Sequence, residues 1–235
     1  MAIPGGHPPT LMGCFAMAPF AGRLHQARLD FRGRSYDLPA HAPPHAIHGT
    51  AVDSAWSVVE STPDAAVLEY ELGSPWPFAG RVTQRLQLSP DRLDAELQLD
   101  ADEQMPVVLG WHPWFRRRLD QGADVQLHAE PRQQYVRGYD GLPTGELVDP
   151  QPGPHDDCFL AMASPPRLVW PGALELELHS PTDHWVLFDE HPDAVCVEPQ
   201  TGPPDAVRLG RHTVVPAGGA LVLPMSLLWR SADSS

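Results

Sequence analysis

The feature that most constrains the fold of this chain is an alternation of apolar and polar residues with a period of two. It is clearest in Leu93–Asp100, and it recurs in Leu174–His179 and in Arg81–Leu88. Successive side chains of a β-strand point to opposite faces of its sheet, so each segment predicts a strand. No segment of helical length carries a 3.6-residue period free of Pro and Gly, which argues against helices as the main element.

Turn residues separate these apolar runs along the whole chain, which has 28 Pro and 19 Gly in 235 residues. Many short strands divided by turn clusters are typical of a sandwich or a barrel. We therefore predict an all-β fold, a large antiparallel β-sandwich that forms a single domain over residues 1–235. The further strand candidates are Leu24–Phe31, Trp56–Glu60, Ala66–Leu72, Val107–Leu109, Val125–Ala129, Arg167–Trp170, Trp185–Asp189, Val195–Val197 and Leu221–Leu228.

Composition excludes several classes of function. The chain has no Lys, so it cannot be a Schiff-base enzyme or a P-loop nucleotidase. Its net charge of −14 repels phosphate backbones, so we expect no nucleic-acid partner. No run of 18 apolar residues predicts a membrane span. Three widely spaced Cys residues indicate reduced thiols and a cytoplasmic location.

Gln84 interrupts the apolar face that Val82, Leu86 and Leu88 share. A buried amide without a partner costs about 1–3 kcal/mol, so the residue needs an explanation. It is either a hydrogen-bonded core amide or a side chain that lines a polar cleft and binds a ligand.

Two aromatic or acidic strand ends are candidates for chemistry. In the segment 109–115, His112 lies between Trp111 and Trp114 at the end of an apolar run, where an imidazole can move a proton beside ring faces that suit a sugar. Glu198 ends the buried run 194–197, and burial raises the proton affinity of a carboxylate, which suits a general base. The alternatives are a buried aromatic cluster and a Glu paired with an Arg.

Three other polar groups leave their role open. Asp156 and Asp157 precede an apolar run, where they are turn caps or ligand-binding carboxylates. The basic run Arg116–Arg118 is a solvated strand end or an anion contact. His45 and His48 form an HxxH pair, but the preceding prolines argue against a helix that would present both to a metal, and we predict no metal site.

Taken together, these segments resemble the aldose 1-epimerase (galactose mutarotase) family. The resemblance implies a sugar-binding cleft on a large β-sandwich, interconversion of the α and β anomers of a hexose, a small sugar as partner, and no cofactor. The motifs that carry it occur in the family's order and run across nearly the whole chain: Gly22-Arg23, Ile47-His48-Gly49, His112-Pro113-Trp114-Phe115, Asp156-Asp157-Cys158-Phe159 and Glu198-Pro199-Gln200-Thr201.

The resemblance also implies roles for individual residues. His112 would be the general acid that protonates the ring oxygen, and Glu198 the general base that takes the proton of the anomeric hydroxyl. Sugar hydroxyls would be held by a further set, in which Asp157 is the alternative to its neighbour and Gln84 is a weaker candidate: Arg23, His48, Gln84, Asp156 and Asp157.

The chain departs from the family's pattern at Gly22, where the family often places Asn. Two related functions stay open beside mutarotation of a free sugar. Arg116–Arg118 would suit a hexose 6-phosphate, and the same scaffold without catalysis would be a carbohydrate-binding domain. A metal-dependent β-sandwich enzyme that uses the His-rich loop is the third alternative.

Overall fold

The computed structural model describes residues 13–231, whose regular secondary structure is almost entirely β-strand. One short α-helix, α1 (Ala206–Leu209), is present in this part of the chain. The strands are β1 (Cys14–Met17), β2 (Arg23–Leu24), β3 (Arg28–Phe31), β4 (Arg34–Asp37), β5 (Ala46–Ile47), β6 (Ser57–Ser61), β7 (Ala65–Leu72), β8 (Gly80–Ser89), β9 (Arg92–Ala101), β10 (Met105–Val107), β11 (Gly110–Arg116), β12 (Gln126–His128), β13 (Pro131–Arg137), β14 (Pro143–Val148), β15 (Asp156–Met162), β16 (Arg167–Trp170), β17 (Leu174–His179), β18 (His184–Phe188), β19 (Ala194–Gln200), β20 (Thr213–Val215) and β21 (Ala220–Ser231).

Two large antiparallel sheets form the body of the fold. A seven-stranded sheet has the order β1-β11-β19-β18-β15-β13-β14, and an eight-stranded sheet has the order β12-β16-β17-β21-β9-β8-β7-β6. Three two-stranded ladders, β2-β5, β3-β4 and β10-β20, and two isolated bridges, Ala18 with Gly49 and Ala42 with His45, lie beside them. The antiparallel sandwich predicted from the alternation is confirmed.

The hydrophobic core is shared by the two sheets. Trp111 and Val197 of the seven-stranded sheet belong to the same buried cluster as Leu97 and Leu223 of the eight-stranded sheet. The Trp111 indole donates a hydrogen bond of 3.1 Å from Nε1 to the Leu223 carbonyl, so a polar contact also joins the sheets. Burial of these large side chains supplies the main driving force for folding.

The strongest alternation patterns give the strand bounds most closely. The predicted segments 93–100, 174–179 and 81–88 become β9, β17 and β8 with shifts of no more than one residue. The predicted strand Leu24–Phe31 is instead divided. Gln26 and Ala27 have φ values of +50° and +53°, which lie outside the β region, so a tight turn separates β2 from β3.

The β2-β5 ladder brings two distant segments together at the edge of the seven-stranded sheet. Arg23 pairs with Ile47, and the backbone N–H of His48 donates to the Gly22 carbonyl at 2.9 Å. Gly49 then approaches the β1 segment so closely that a Cβ at this position would lie 2.0 Å from the Ala18 carbonyl oxygen. Only glycine allows this approach, and its φ of +76° also favours glycine.

Within residues 13–231, no helix has the length and apolar character that crossing a lipid bilayer requires.

Replacement of Gly49 by alanine is expected to destabilise the protein more than the same change at Gly218. Gly218 has a similar φ of +73° but open space around its Cβ position, so Gly218→Ala should cost only the left-handed strain, about 1–2 kcal/mol. Gly49→Ala adds a clash with the Ala18 backbone and should cost roughly 1–3 kcal/mol more. Denaturant unfolding of both variants measures the difference, and equal losses would contradict the close approach.

Candidate functional site

A cavity of about 210 Å³ lies on the face of the seven-stranded sheet that points away from the core. Alternation along each strand explains this placement. In β11, Trp111 and Phe115 face the core, whereas His112 and Trp114 line the cavity. The other strands also contribute alternate residues: Glu198 and Gln200 of β19, Val186 and Phe188 of β18, Asp156 and Cys158 of β15, and Tyr135 and Arg137 of β13. Asp157, near the start of β15, lines the cavity as well and departs from the rule.

Strand register sets the central contact of the cavity. β11 pairs with β19 so that Gly110 lies opposite Gln200 and Trp114 opposite Cys196. The same antiparallel register places His112 opposite Glu198, on the same face. His112 Nε2 lies 3.1 Å from Glu198 Oε1, within hydrogen-bond distance.

The His112–Glu198 pair is almost dry. The two residues are only 7% and 3% exposed. Phe15 stacks on the His112 ring at 4.5 Å between centroids, and Trp114 stacks on it at 5.3 Å. These apolar rings displace water and leave the two polar groups to each other.

Burial changes the proton affinity of both partners in the direction that disfavours charge. It lowers the pKa of His112 to about 3. It raises the pKa of Glu198 well above its usual value, with a further rise from Asp156, while the Gln200 hydrogen bond and Arg23 act against it. The favoured form of the pair is therefore a neutral imidazole beside a protonated carboxyl group, with one exchangeable proton between them.

His48 lies against the same pair from the β2-β5 ladder. Its ring meets the His112 ring edge-on, with 5.0 Å between centroids. Burial, and next the neighbouring His112, lower the pKa of His48 well below the usual value, so it is neutral. Its Nδ1 atom is buried without a hydrogen-bond partner among the described residues, which leaves it available to a ligand.

The opposite end of the cavity is charged. Asp156 Oδ2 lies 3.1 Å from Nη1 of Arg137 and 3.8 Å from Nη1 of Arg23. Asp157 Oδ1 lies 3.7 Å from Nε of Arg137, and Asp157 Oδ2 lies 3.3 Å from Nδ1 of His155. Burial raises the pKa of Asp156, although both arginines act in the other direction. Two guanidinium groups and two carboxyl groups thus form a balanced polar rim.

Six of the seven predicted site residues line this one cavity. They are His112 and Glu198 at the dry end, with His48 beside them, and Arg23, Asp156 and Asp157 at the charged end. Asp156 and Asp157 are the first residues of β15 rather than turn caps, and both face the cavity lining.

Gln84 does not join them. It lies in β8 of the eight-stranded sheet, where it pairs with Leu97, a core residue. Its side chain is therefore on the core-facing side of the other sheet, a full layer away from the cavity. Gln84 was singled out because it is a polar residue on an otherwise apolar strand face. Alternation alone does not predict which of the two sheets a strand joins.

The basic run Arg116–Arg118 lies outside the cavity, and the HxxH pair is divided, because His48 lines the cavity and His45 does not. Arg117 donates from Nε to the His191 carbonyl at 2.8 Å, and Arg118 pairs with Asp124 at 2.7 Å. None of the three arginines 116–118 lines the cavity. His45 Nδ1 accepts a hydrogen bond of 3.1 Å from the Gln26 backbone, so this histidine fixes the β2–β3 turn.

Three polar residues of the cavity were not predicted from the sequence to be site residues. Arg137 and Tyr135 lie on β13, a strand that the pattern did not predict because it begins with Pro and carries four polar residues besides Tyr135. The Tyr135 hydroxyl lies 3.1 Å from His184 Nε2. Gln200 stands in the Glu-Pro-Gln-Thr motif, two residues after Glu198, and this spacing on a strand was the available signal for a shared face.

Only one group of described residues has donor atoms close enough to hold a metal ion. The ligand atoms of His112, Cys196 and Glu198 lie within 4.8 Å of one another. However, burial raises the pKa of the Cys196 thiol, which disfavours the thiolate that a metal needs. His112 and Glu198 are already bonded to each other, so we interpret the group as a proton-sharing pair beside a buried thiol.

The segment before Arg23 is tightly packed against the loop that follows β19. Gly22 has a φ of +65°, and a Cβ there would lie 2.7 Å from both Cβ and Cγ of Pro204. The backbone N–H of Asp205 donates to the Arg23 carbonyl at 2.8 Å, and the His25 N–H donates to Asp205 Oδ1 at 3.1 Å. These contacts fix the position from which the Arg23 side chain enters the cavity.

Known proteins are similar to this chain in sequence and in fold. The chain is 28% identical over 239 residues to the uncharacterized protein YphB of Escherichia coli strain K12, covering 91% of this chain and 79% of that protein. A galactose mutarotase-like protein from Clostridium acetobutylicum superposes with a TM-score of 0.83 at 15% identity, covering 95% of this chain and 80% of that one. A galactose 1-epimerase from Lactobacillus acidophilus superposes with a TM-score of 0.76 at 14% identity, covering 93% and 80%.

The structural similarities establish the fold, and the sequence establishes the family. The family model for aldose 1-epimerase matches residues 7–208, which is most of the chain. The chain therefore belongs to the aldose 1-epimerase family.

Proposed function

We propose that this protein is a mutarotase, an isomerase that interconverts the α and β anomers of a free hexose. The observation that carries the proposal is the buried contact of 3.1 Å between His112 Nε2 and Glu198 Oε1. A side chain that can donate a proton and one that can accept it are held together in a dry cavity. Mutarotation requires this pair and no redox step.

The reaction follows from one proton shared by two groups. In ring opening, Glu198 as carboxylate takes the proton of the anomeric hydroxyl, and the C1 carbonyl forms as the bond from C1 to the ring oxygen breaks. His112 as imidazolium gives its proton to the ring oxygen, which leaves His112 neutral and Glu198 protonated. The aldehyde then rotates about C1–C2, and the ring closes on its other face with both proton transfers reversed.

Both charge states of the pair are used in each turnover. Opening starts from the charged form, and closing starts from the neutral form that burial favours. Each step moves one proton from the sugar to the pair and one from the pair to the sugar, so the pair always keeps one proton and the enzyme needs none from solvent. A site that Phe15 and Trp114 shield from water is therefore compatible with the reaction.

The charged rim supports recognition of hydroxyl groups rather than of an anion. Arg23 and Arg137 are each within 3.8 Å of the Asp156 carboxyl group, so their charge is already balanced. Carboxylate and guanidinium groups together can accept from and donate to several sugar hydroxyls. The arginines 116–118, on which a phosphate-binding role would depend, are outside the cavity lining. We therefore favour a neutral hexose over a hexose 6-phosphate.

Loss of either member of the pair is expected to abolish most of the activity. Glu198→Gln and His112→Gln should each lower kcat by about 10²–10⁴-fold, the usual contribution of one positioned proton transfer. The measurement is polarimetry of freshly dissolved α-glucose and α-galactose, each tested free and as the 6-phosphate.

A matched pair outside the cavity provides the control. His179 Nε2 and Glu177 Oε2 are also 3.1 Å apart but are exposed. His179→Gln and Glu177→Gln should leave the rate unchanged. If Glu198→Gln matched the wild-type rate on every sugar, the mechanism would be wrong. Saturable sugar binding without acceleration would identify a carbohydrate-binding domain instead.

The pH profile of the wild-type protein tests the shared proton. A second proton has to charge His112 beside a protonated Glu198, and burial lowers the pKa of His112 to about 3. The acid limb of kcat/KM should therefore lie far below 6.5, the usual histidine value. The alkaline limb reports loss of the shared proton and should lie above 4.5, the usual Glu value, because burial raises the pKa of Glu198. A one-proton fall of kcat/KM toward acid pH, centred near the usual histidine value, would contradict this model.

Arg137 is expected to act in binding rather than in proton transfer. Arg137→Met removes a charged donor from the rim, and one such hydrogen bond is worth about 1.5–3 kcal/mol, so KM should rise roughly 10–100-fold while kcat changes less. Arg118→Met is the control, since Arg118 pairs with Asp124 at 2.7 Å outside the cavity. Steady-state polarimetry separates the two constants, and an unchanged KM for Arg137→Met would remove Arg137 from the binding site.

A further inference from the structure

Gln200 is the most deeply buried polar side chain in the cavity. It is the last residue of β19, is 0% exposed, and is fixed on both sides by pairing with Gly110 and His184. Its Nε2 donates a hydrogen bond of 3.3 Å to Glu198 Oε2. Glu198 is thereby held at both oxygens, with His112 at Oε1 and Gln200 at Oε2.

The carbonyl oxygen of the Gln200 amide, Oε1, in contrast, is buried and makes no hydrogen bond among the described residues. An unpaired buried acceptor costs about 1–3 kcal/mol, comparable to what the bond to Glu198 returns. A glutamine here is therefore a poor choice for stability alone, and its amide serves Glu198.

We propose that Gln200 is a positioning residue that holds Glu198 Oε2, so that Oε1 stays directed at His112 and the substrate. The inference rests on the proposed mutarotase function and deepens it. Since an N–H donor binds a carboxylate more strongly than a carboxylic acid, Gln200 also favours the ionised form that ring opening requires.

Several neighbouring groups change the pKa of Glu198, and Gln200 is one of those that lower it. Asp156 from β15 raises the pKa of Glu198, Arg23 from β2 lowers it, and burial raises it most. The nearby buried thiols of Cys158 and Cys196 are influenced by Glu198, and burial raises the pKa of both, which keeps them protonated. His112 is neutral in the favoured form. Gln200 thus provides a hydrogen bond that opposes the effect of burial.

Gln200→Met tests the proposal by separating activity from stability. Methionine fills a similar volume without an amide, so kcat should fall roughly 10–100-fold, the equivalent of one hydrogen bond to a charged group, with little change in KM. Removal of the unpaired Oε1 should leave the midpoint of denaturant unfolding unchanged or higher. The alkaline limb of kcat/KM should move to higher pH, because the ionised form of Glu198 loses a donor.

Gln134→Met is the matched control with the opposite expectation. Gln134 is also buried, but its Oε1 accepts a hydrogen bond of 2.7 Å from the Gln151 backbone, which is a structural bond. Gln134→Met should lower the unfolding midpoint and leave kcat and the pH profile unchanged.

A second measurement does not depend on catalysis. ¹³C NMR of Glu-labelled protein, assigned with Glu198→Gln, follows the Glu198 carboxyl group directly, and its titration should move to higher pH in Gln200→Met. If the wild type accelerated no sugar, this titration and the unfolding midpoints would still test Gln200 separately from the proposed function. Wild-type kcat and titration in Gln200→Met, or failure of this variant to fold, would overturn the proposal.

Discussion

The hydrogen bond between His112 and Glu198 is the interaction on which the arrangement of the cavity depends. Without this bond, His112 Nε2 and Glu198 Oε1 would each be a buried polar atom without a partner, close to the rings of Phe15 and Trp114. Each satisfies the other, and the β11–β19 register fixes their separation. A shift of this register by one residue would turn one of the two into the core.

Strand alternation gives the seven-stranded sheet two faces with different roles. Side chains such as Trp111 and Val197 face the eight-stranded sheet and stabilise the fold, whereas their immediate neighbours His112 and Glu198 face the cavity. The cavity in turn has a dry end at this pair and a charged end at Asp156. A sugar has an anomeric centre that reacts and hydroxyls that only need binding, so this gradient of polarity fits the proposed substrate class.

The sequence predicted the features that depend on local pattern. Period-two alternation was sufficient for β8, β9 and β17. His112 and Glu198 were singled out as residues at strand ends, whereas both lie inside strands, β11 and β19. What depends on long-range pairing was not accessible. Gln84 breaks an alternating face just as a site residue would, but β8 belongs to the other sheet. Arg137 was missed because β13 is too polar to resemble a strand, and it becomes one only through its neighbours β14 and β15.

The contact between Gly22 and Pro204 has a consequence for how family sequences should be compared. The space beside the Gly22 backbone, where a side chain would begin, is filled by the Pro204 ring at 2.7 Å. A residue such as Asn can adopt the left-handed conformation of Gly22, but it needs a different residue or loop at position 204. A substitution at position 22 therefore requires a change at position 204. An alignment or a redesign that restores a side chain at 22 has to exchange 204 in the same step, although 182 residues of chain separate them.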